Sequence, residues 1–224
     1  MPNFKENIEK IRLSIVKNRE NSQIPNKIKI IAVSKTFGTD SVLEAIQSGF
    51  FCFGENKVQE CKKKFSSIIG VHKEIDLHMI GPLQTNKVKD ALKIFNTIQT
   101  LDREKLCLEI NKKLNPNSKT KDFFIQVNIG NEKQKSGINT EQSNDFIKWC
   151  INDLGINVVG LMCIPPAEIS PIKYFKKLKT IAEENKLKYL SMGMSGDYLD
   201  AIICGATHIR LGESLFGKRQ NYEK

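Results

Sequence analysis

Eight short apolar or β-branched runs recur along the chain at intervals of roughly 20 to 35 residues, and longer stretches of helical periodicity lie between them. The runs are Ile28–Ser34, Phe50–Gly54, Leu77–Gly81, Thr97–Leu101, Phe123–Ile129, Val158–Ile164, Tyr189–Met194 and Thr207–Gly212. Several are apolar at consecutive positions, the pattern of parallel strands covered on both faces. Between them lie helical segments such as Asp40–Ser48, Gln84–Phe95, Arg103–Leu114, Glu141–Asp153, Ser170–Glu184 and Tyr198–Cys204. Thr39 or Asp40 and Thr140 are the expected N-caps, and Gly49, Gly155 and Gly205 mark helix exits. This rhythm predicts an α/β fold, a (β/α)8 TIM barrel, with an additional N-terminal helix whose apolar members are Ile8, Ile11, Leu13, Ile15 and Val16. A doubly wound open sheet is the alternative, but no G-x-G-x-x-G follows the first run.

The 224 residues, 40% of them hydrophobic, are enough for one sizeable core, and no linker or low-complexity tract divides them. A single domain over 1–224 is the economical reading. The net charge of +10 raises the question of a polyanionic partner. Basic residues are spread from Lys5 to Lys224, however, and the densest run, Lys62-Lys63-Lys64, stands beside Glu60 without interleaved aromatics. That reads as a solvated lysine surface, with neither nucleic acid nor membrane as partner. The six cysteines form no C-x-x-C pair and have no histidine at zinc-finger spacing, so no metal is expected. Cys52, Cys163 and Cys204 fall in apolar stretches, as small hydrophobes of a reducing compartment do. The charged N-terminus is unlike a secretion signal and no apolar run is long enough to cross a bilayer, so a cytoplasmic location is expected.

In a TIM barrel the chemistry sits where the strands end and the βα loops begin. The first run ends in Ser34-Lys35-Thr36, and desolvation of Lys35 at the mouth would favour the neutral amine that attacks aldehydes. The bland alternative is an ordinary loop lysine. Arg210 lies inside the eighth run, where a guanidinium is expensive unless it meets an acceptor. It either pairs with a buried carboxylate such as Glu55 or faces a ligand, and arginine against a pyridine nitrogen is an arrangement suited to pyridoxal 5′-phosphate (PLP). Ser195-Gly196 and Gly212-Glu213-Ser214 follow the seventh and eighth runs, where barrels commonly hold phosphate, although glycine and serine are also turn material. Asn56 and Asn128 line the pocket or cap neighbouring backbone, and His78 reads as a hydrogen-bonded core histidine. His72 and His208 offer less. Aldehyde, ring nitrogen and phosphate of one molecule would thus find partners in Lys35, Arg210 and the glycine-serine turns.

Motifs along the chain add to this. They include Ala-Val-Ser-Lys-Thr at 32–36, Phe-Gly-Glu-Asn at 53–56 with Val-Gln-Glu at 58–60, and His-Met-Ile-Gly-Pro-Leu-Gln-Thr-Asn-Lys at 78–87. Ile-Gln-Val-Asn-Ile at 125–129, Lys-Ser-Gly-Ile at 135–138, Gly-Leu-Met at 160–162, Leu-Ser-Met-Gly-Met-Ser at 190–195, His-Ile-Arg-Leu-Gly at 208–212 and Phe-Gly at 216–217 follow in order. With them the chain resembles the pyridoxal phosphate homeostasis protein family, related to the N-terminal barrel of alanine racemase. The resemblance implies that Lys35 holds PLP as a Schiff base, that Arg210 meets the pyridine nitrogen, and that Ser195, Gly212 and Glu213 contact the phosphate with Asn56 in the pocket. It implies a cofactor-binding protein of vitamin B6 homeostasis, without robust catalysis, with PLP-dependent apo-enzymes as recipients. The alternative is a PLP-dependent amino-acid racemase-like enzyme, which needs a second acid/base on the opposite face. Racemases of this type take that tyrosine from an additional domain, for which this chain has no counterpart, and none of Tyr174, Tyr189, Tyr198 or Tyr222 sits in a matching motif. A monomer is the expected state. Two positions depart from the family pattern. Lys57 stands where an aromatic is common, and Glu213 stands where a small hydroxyl residue is usual, so its carboxylate must turn away from a phosphate.

Overall fold

The structure, a computed structural model, describes residues 3–19, 25, 27–167 and 170–217. Its strands are β1 (Lys29–Val33), β2 (Cys52–Glu55), β3 (Asp76–Met79), β4 (Thr97–Leu101), β5 (Asp122–Asn128), β6 (Ile138–Asn139), β7 (Val158–Cys163), β8 (Tyr189–Ser191) and β9 (His208–Leu211). All pairings are parallel, in the order β4-β3-β2-β1-β9-β8-β7-β5-β6, and β4 also pairs with β5. That last pairing closes an eight-stranded barrel. The short β6 attaches to the upper end of β5 at Val127 and Asn128, beyond Ile125 where β4 stops pairing. Every expected run is a strand. The extra β6 was not among them, because two residues carry no periodicity.

The helices are α1 (Phe4–Arg19), α2 (Thr39–Gln47), α3 (Val58–Ile69), α4 (Val88–Ile94), α5 (Glu104–Lys113), α6 (Ser143–Lys148), α7 (Ile172–Glu184), α8 (Tyr198–Ile203) and α9 (Glu213–Phe216). Their apolar stripes close on the outward faces of the strands, as Phe53 of β2 does against Phe65 of α3 with ring centroids 5.5 Å apart. The extra helix α1 packs on the outside of the ring. Its Phe4, Ile8, Ile11 and Ile15 recur every three or four residues and are buried, each worth about 1.5 to 3 kcal/mol. Phe4 stacks between Phe50 and Phe216, and the Asn7 amide donates to the Leu215 carbonyl at 2.9 Å. Leu13 and Val16, expected on that apolar stripe, are exposed, because they fall outside the arc that the other four define.

Three further expectations are corrected. Thr39 and Asp40 lie within α2, whose N-cap is Gly38, and α6 starts beyond Thr140, with Gln142 as its N-cap. Neither end has a side-chain cap. The segment expected as one helix over Glu141–Asp153 divides into α6 and a π-helical stretch, Trp149–Asp153. The glycine exits hold: Gly49, Gly155 and Gly205 have φ of 75°, 61° and 97°, a region that other residues resist. No helix among the described residues is long and apolar enough to cross a membrane.

Candidate functional site

The C-terminal ends of the strands gather the polar residues of the chain. β1 ends at Val33 and the turn Ser34-Lys35-Thr36 follows, leaving Lys35 half-buried. Thr36 has φ 68°, a left-handed conformation that costs a β-branched residue on the order of 1 to 2 kcal/mol. Its neighbours hold it there. The Thr36 N–H donates to Glu60 Oε1 at 2.8 Å, and the Ser34 carbonyl accepts from Lys64 Nζ at 2.7 Å. Lys64 also donates to Glu55 Oε1 at 2.7 Å and Glu60 Oε1 at 3.3 Å, while Ser34 Oγ donates to Glu55 Oε1 at 2.6 Å. The lysine-bearing turn is therefore clamped on both sides by α3 and the end of β2. Burial outweighs Lys64 and Ser34 at Glu55 and pushes its carboxyl above the ordinary value.

Lys64 was expected on a solvated surface; it is 6% exposed. The signal was present in the helix, because Lys64 shares a face with Cys61, Phe65 and Ile68 and stands four residues after Glu60. The pairing suggested between Arg210 and Glu55 does not occur, since Glu55 points outward to α3 and is taken by Lys64.

Arg210, 4% exposed, projects into the barrel from β9. Its Nη1 donates to Ser191 Oγ and its Nη2 to the Cys163 carbonyl, both at 2.8 Å. Among the described residues no carboxylate lies within ion-pair distance of it, and burial lowers the guanidinium from its ordinary value. Register places Arg210 opposite Ile31 of β1, four residues before Lys35 and so deeper in the barrel than the turn that carries it. Behind Ser191 the barrel interior stays polar: Ser191 Oγ donates to Gln99 Oε1 at 2.6 Å, and Gln99 Nε2 lies 2.9 Å from His78 Nδ1. His78 is thus the hydrogen-bonded core histidine anticipated from its strand position. At the N-terminal end Cys52, Asp76 and His78 bring one donor atom each within 4.8 Å of one another, but the Lys29 ammonium is already on Asp76 Oδ2 at 2.8 Å. Burial opposes the Asp76 carboxylate, yet His78 and Lys29 overcome it and hold its pKa well below the usual range. Cys52, expected to be a small hydrophobe, is half-buried with Sγ 3.8 Å from Asp76 Oδ2, whereas Cys163 and Cys204 are buried.

Two short connections face the same mouth. After β8, Gly193 adopts φ 91° and its carbonyl accepts from the Arg210 N–H at 2.9 Å, which turns the chain toward Ser195 and Gly196. After β9, Gly212 is the N-cap of α9 and Glu213 its exposed first residue. Ser195 Oγ and Ser214 Oγ lie 3.0 Å apart, so the two connections touch. Asn56 follows β2 and lines two cavities at the rim, of about 430 and 270 Å³, which also share Pro82. Neither cavity is lined by Lys35, Arg210 or Ser195. Gly81 packs so closely that a Cβ there would lie 2.4 Å from the Asn56 carbonyl oxygen. Asn128 has a structural task, since its amide donates to the Glu132 carbonyl at 2.8 Å and accepts from the Glu132 N–H at 3.1 Å. His72 pairs with Glu74 near the surface. Tyr189 and His208 belong to the N-terminal end, with rings 5.3 Å apart, and Tyr222 lies outside the described residues.

Comparison with known proteins places this geometry. The profile of the alanine racemase N-terminal domain family matches residues 3–220. A pyridoxal phosphate homeostasis protein of Aquifex aeolicus is 38% identical over 206 residues, 87% of this chain and 89% of that protein. One of Haemophilus influenzae is 36% identical, over 91% of this chain and 90% of that protein. PipY of Synechococcus elongatus, solved with PLP bound, superposes with a TM-score of 0.80 at 26% identity, covering 96% of this chain and all of that one. An alanine racemase from E. faecalis, at 16% identity and TM-score 0.66, shares the fold over 94% of this chain but only 56% of its own length.

Proposed function

The chain belongs to the alanine racemase N-terminal domain family and, within it, to the pyridoxal phosphate homeostasis proteins, and from that membership we propose that it binds PLP and serves vitamin B6 homeostasis in the cytoplasm. The observation that carries this reading is the pairing, in one barrel mouth, of a half-buried lysine on a clamped turn with a buried guanidinium that has no carboxylate partner among the described residues. Such a donor set fits PLP. An arginine has five N–H donors and no acceptor, so it suits the lone pair of a pyridine nitrogen and leaves that nitrogen without a proton. PLP, when bound, would supply an aldehyde, and Lys35 is the residue whose amine would hold it as a Schiff base, with water as the leaving group.

Phosphate falls to Ser195, Gly196, Gly212 and Glu213, with backbone N–H groups as donors and Ser195 Oγ as a further one. Asn56 is assigned to the rim of the site, although the two cavities it lines are walled by neither Lys35 nor Arg210. The Glu213 side chain is exposed and serves no contact to the anion. Because Arg210 cannot supply a ring proton, the site favours holding the aldehyde over stabilising carbanions. We therefore assign carriage of PLP, with PLP-dependent apo-enzymes as recipients and a monomer as the working state, over amino-acid racemisation.

Reconstituted protein is expected to show the visible absorbance of an imine, and borohydride reduction followed by peptide mapping is expected to mark Lys35. Lys35→Ala should lose that band while retaining the circular dichroism of the barrel. An unchanged band, with the reduced adduct on another residue, would remove Lys35 from the reading.

A further inference from the structure

We propose that Gln99 is a positioning residue that aims Arg210 at the mouth of the barrel, through a hydrogen-bond chain that runs from the guanidinium by way of Ser191 and Gln99 to His78. Arginine can only donate, so Ser191 Oγ must accept from Nη1 at 2.8 Å. The single hydroxyl proton of Ser191 is then left for Gln99 Oε1 at 2.6 Å. That contact fixes which end of the amide faces which way, and Gln99 Nε2 must donate to His78 Nδ1 at 2.9 Å. With Nδ1 accepting, the His78 proton is left on Nε2, which lies 3.1 Å from Asp76 Oδ2 but outside hydrogen-bond geometry, so the directed chain ends at His78; Asp76 itself holds Lys29 at 2.8 Å. With the amide turned this way each of these links pairs one donor with one acceptor; the flipped amide would instead make Ser191 accept twice and require a proton on His78 Nδ1, so the His78 tautomer distinguishes the two.

Gln99 is the hinge of this chain because it is the member that converts an acceptor on one side into a donor on the other. It is fully buried on β4, while Ser191 lies on β8 across the barrel interior. A glutamine that merely filled space there would tolerate an aliphatic side chain of similar volume. A glutamine that orients the guanidinium would not, because Ser191 would lose its acceptor and would be free to turn away from Arg210.

The affinity arm of the test rests on the PLP reading above; the other two arms do not. In protein without added PLP, nitrogen-15 NMR is expected to show His78 protonated on Nε2 alone and the Arg210 guanidinium nitrogens as resolved, slowly rotating signals. Gln99→Leu should release the Arg210 signals to fast rotation and weaken PLP binding by about tenfold, the worth of one buried hydrogen bond to a charged group. Gln99→Glu still accepts from Ser191, so it should restore the slow Arg210 signals, bring affinity back to within about threefold of wild type, and add a proton at His78 Nδ1. A His78 proton on Nδ1 in the wild type, or slow Arg210 signals that survive Gln99→Leu, would overturn the proposal. Should Gln99→Leu fail to fold, the wild-type tautomer and the Gln99→Glu variant still decide. If the wild type binds no PLP, the cofactor reading fails while the two NMR readouts go on testing the role of Gln99.

Discussion

Lys64 Nζ lies 2.7 Å from the carbonyl oxygen of Ser34, so a buried cation on α3 grips the residue that precedes Lys35. The same ammonium neutralises Glu55, which is fully buried. Lys64→Met is expected to cost about 3 to 5 kcal/mol, because a buried carboxylate is left without its partner. Lys64→Met combined with Glu55→Gln should recover much of that loss. Urea unfolding of the two single variants and the double variant checks this, and additive costs would contradict it.

His208 gives the protein a sensitivity to acid. Burial first, then the neighbouring His78 and the Lys29 ammonium, lower its pKa from 6.5 to about 3. Between those values the unfolded chain binds a proton that the folded chain refuses, so stability falls as pH drops from 6.5 towards 3. The slope reaches at most about 1.4 kcal/mol per pH unit. Glu55, whose pKa is raised, acts with the opposite sign, keeping its contribution in acid and losing it as pH rises through the folded value. Unfolding free energies of wild type and His208→Gln, compared just above the carboxylate range, should differ in slope by this amount, the variant being flatter.

Glu213 stands exposed as the first residue of α9, beside the turn assigned to the phosphate. Its carboxylate repels an anion even when it points to solvent. Glu213→Ser is expected to tighten PLP binding by about two- to fivefold at low ionic strength, with the gain shrinking in salt. Fluorescence titrations at two salt concentrations check this, and equal affinities at both would place the phosphate elsewhere.

The barrel was legible because each strand is an apolar run with a helix after it. Thr97–Leu101 matches β4 residue for residue. The seventh apolar run extends to Met194, but β8 ends at Ser191 because Gly193, at φ 91°, turns the chain away. Lys35 and Arg210 could be singled out since each is a cation at the end of, or inside, an apolar run. Gln99 and Ser191 could not, because their meeting depends on the closure of the barrel and they stand 92 residues apart. Lys64 was readable from its place on the apolar stripe of α3, yet its two charged neighbours in the run Lys62-Lys63-Lys64 masked it.

The two-residue strand β6 has a consequence at the rim. It pins the connection after β5 to the barrel, as do the Asn128 amide and the bond from Lys135 Nζ to the Pro165 carbonyl at 3.1 Å. A protease must draw a loose, extended stretch of backbone into its cleft before it can cut. Lys133 and Lys135 therefore lie in a segment held at both ends, and trypsin is expected to cut there slowly while the barrel is intact.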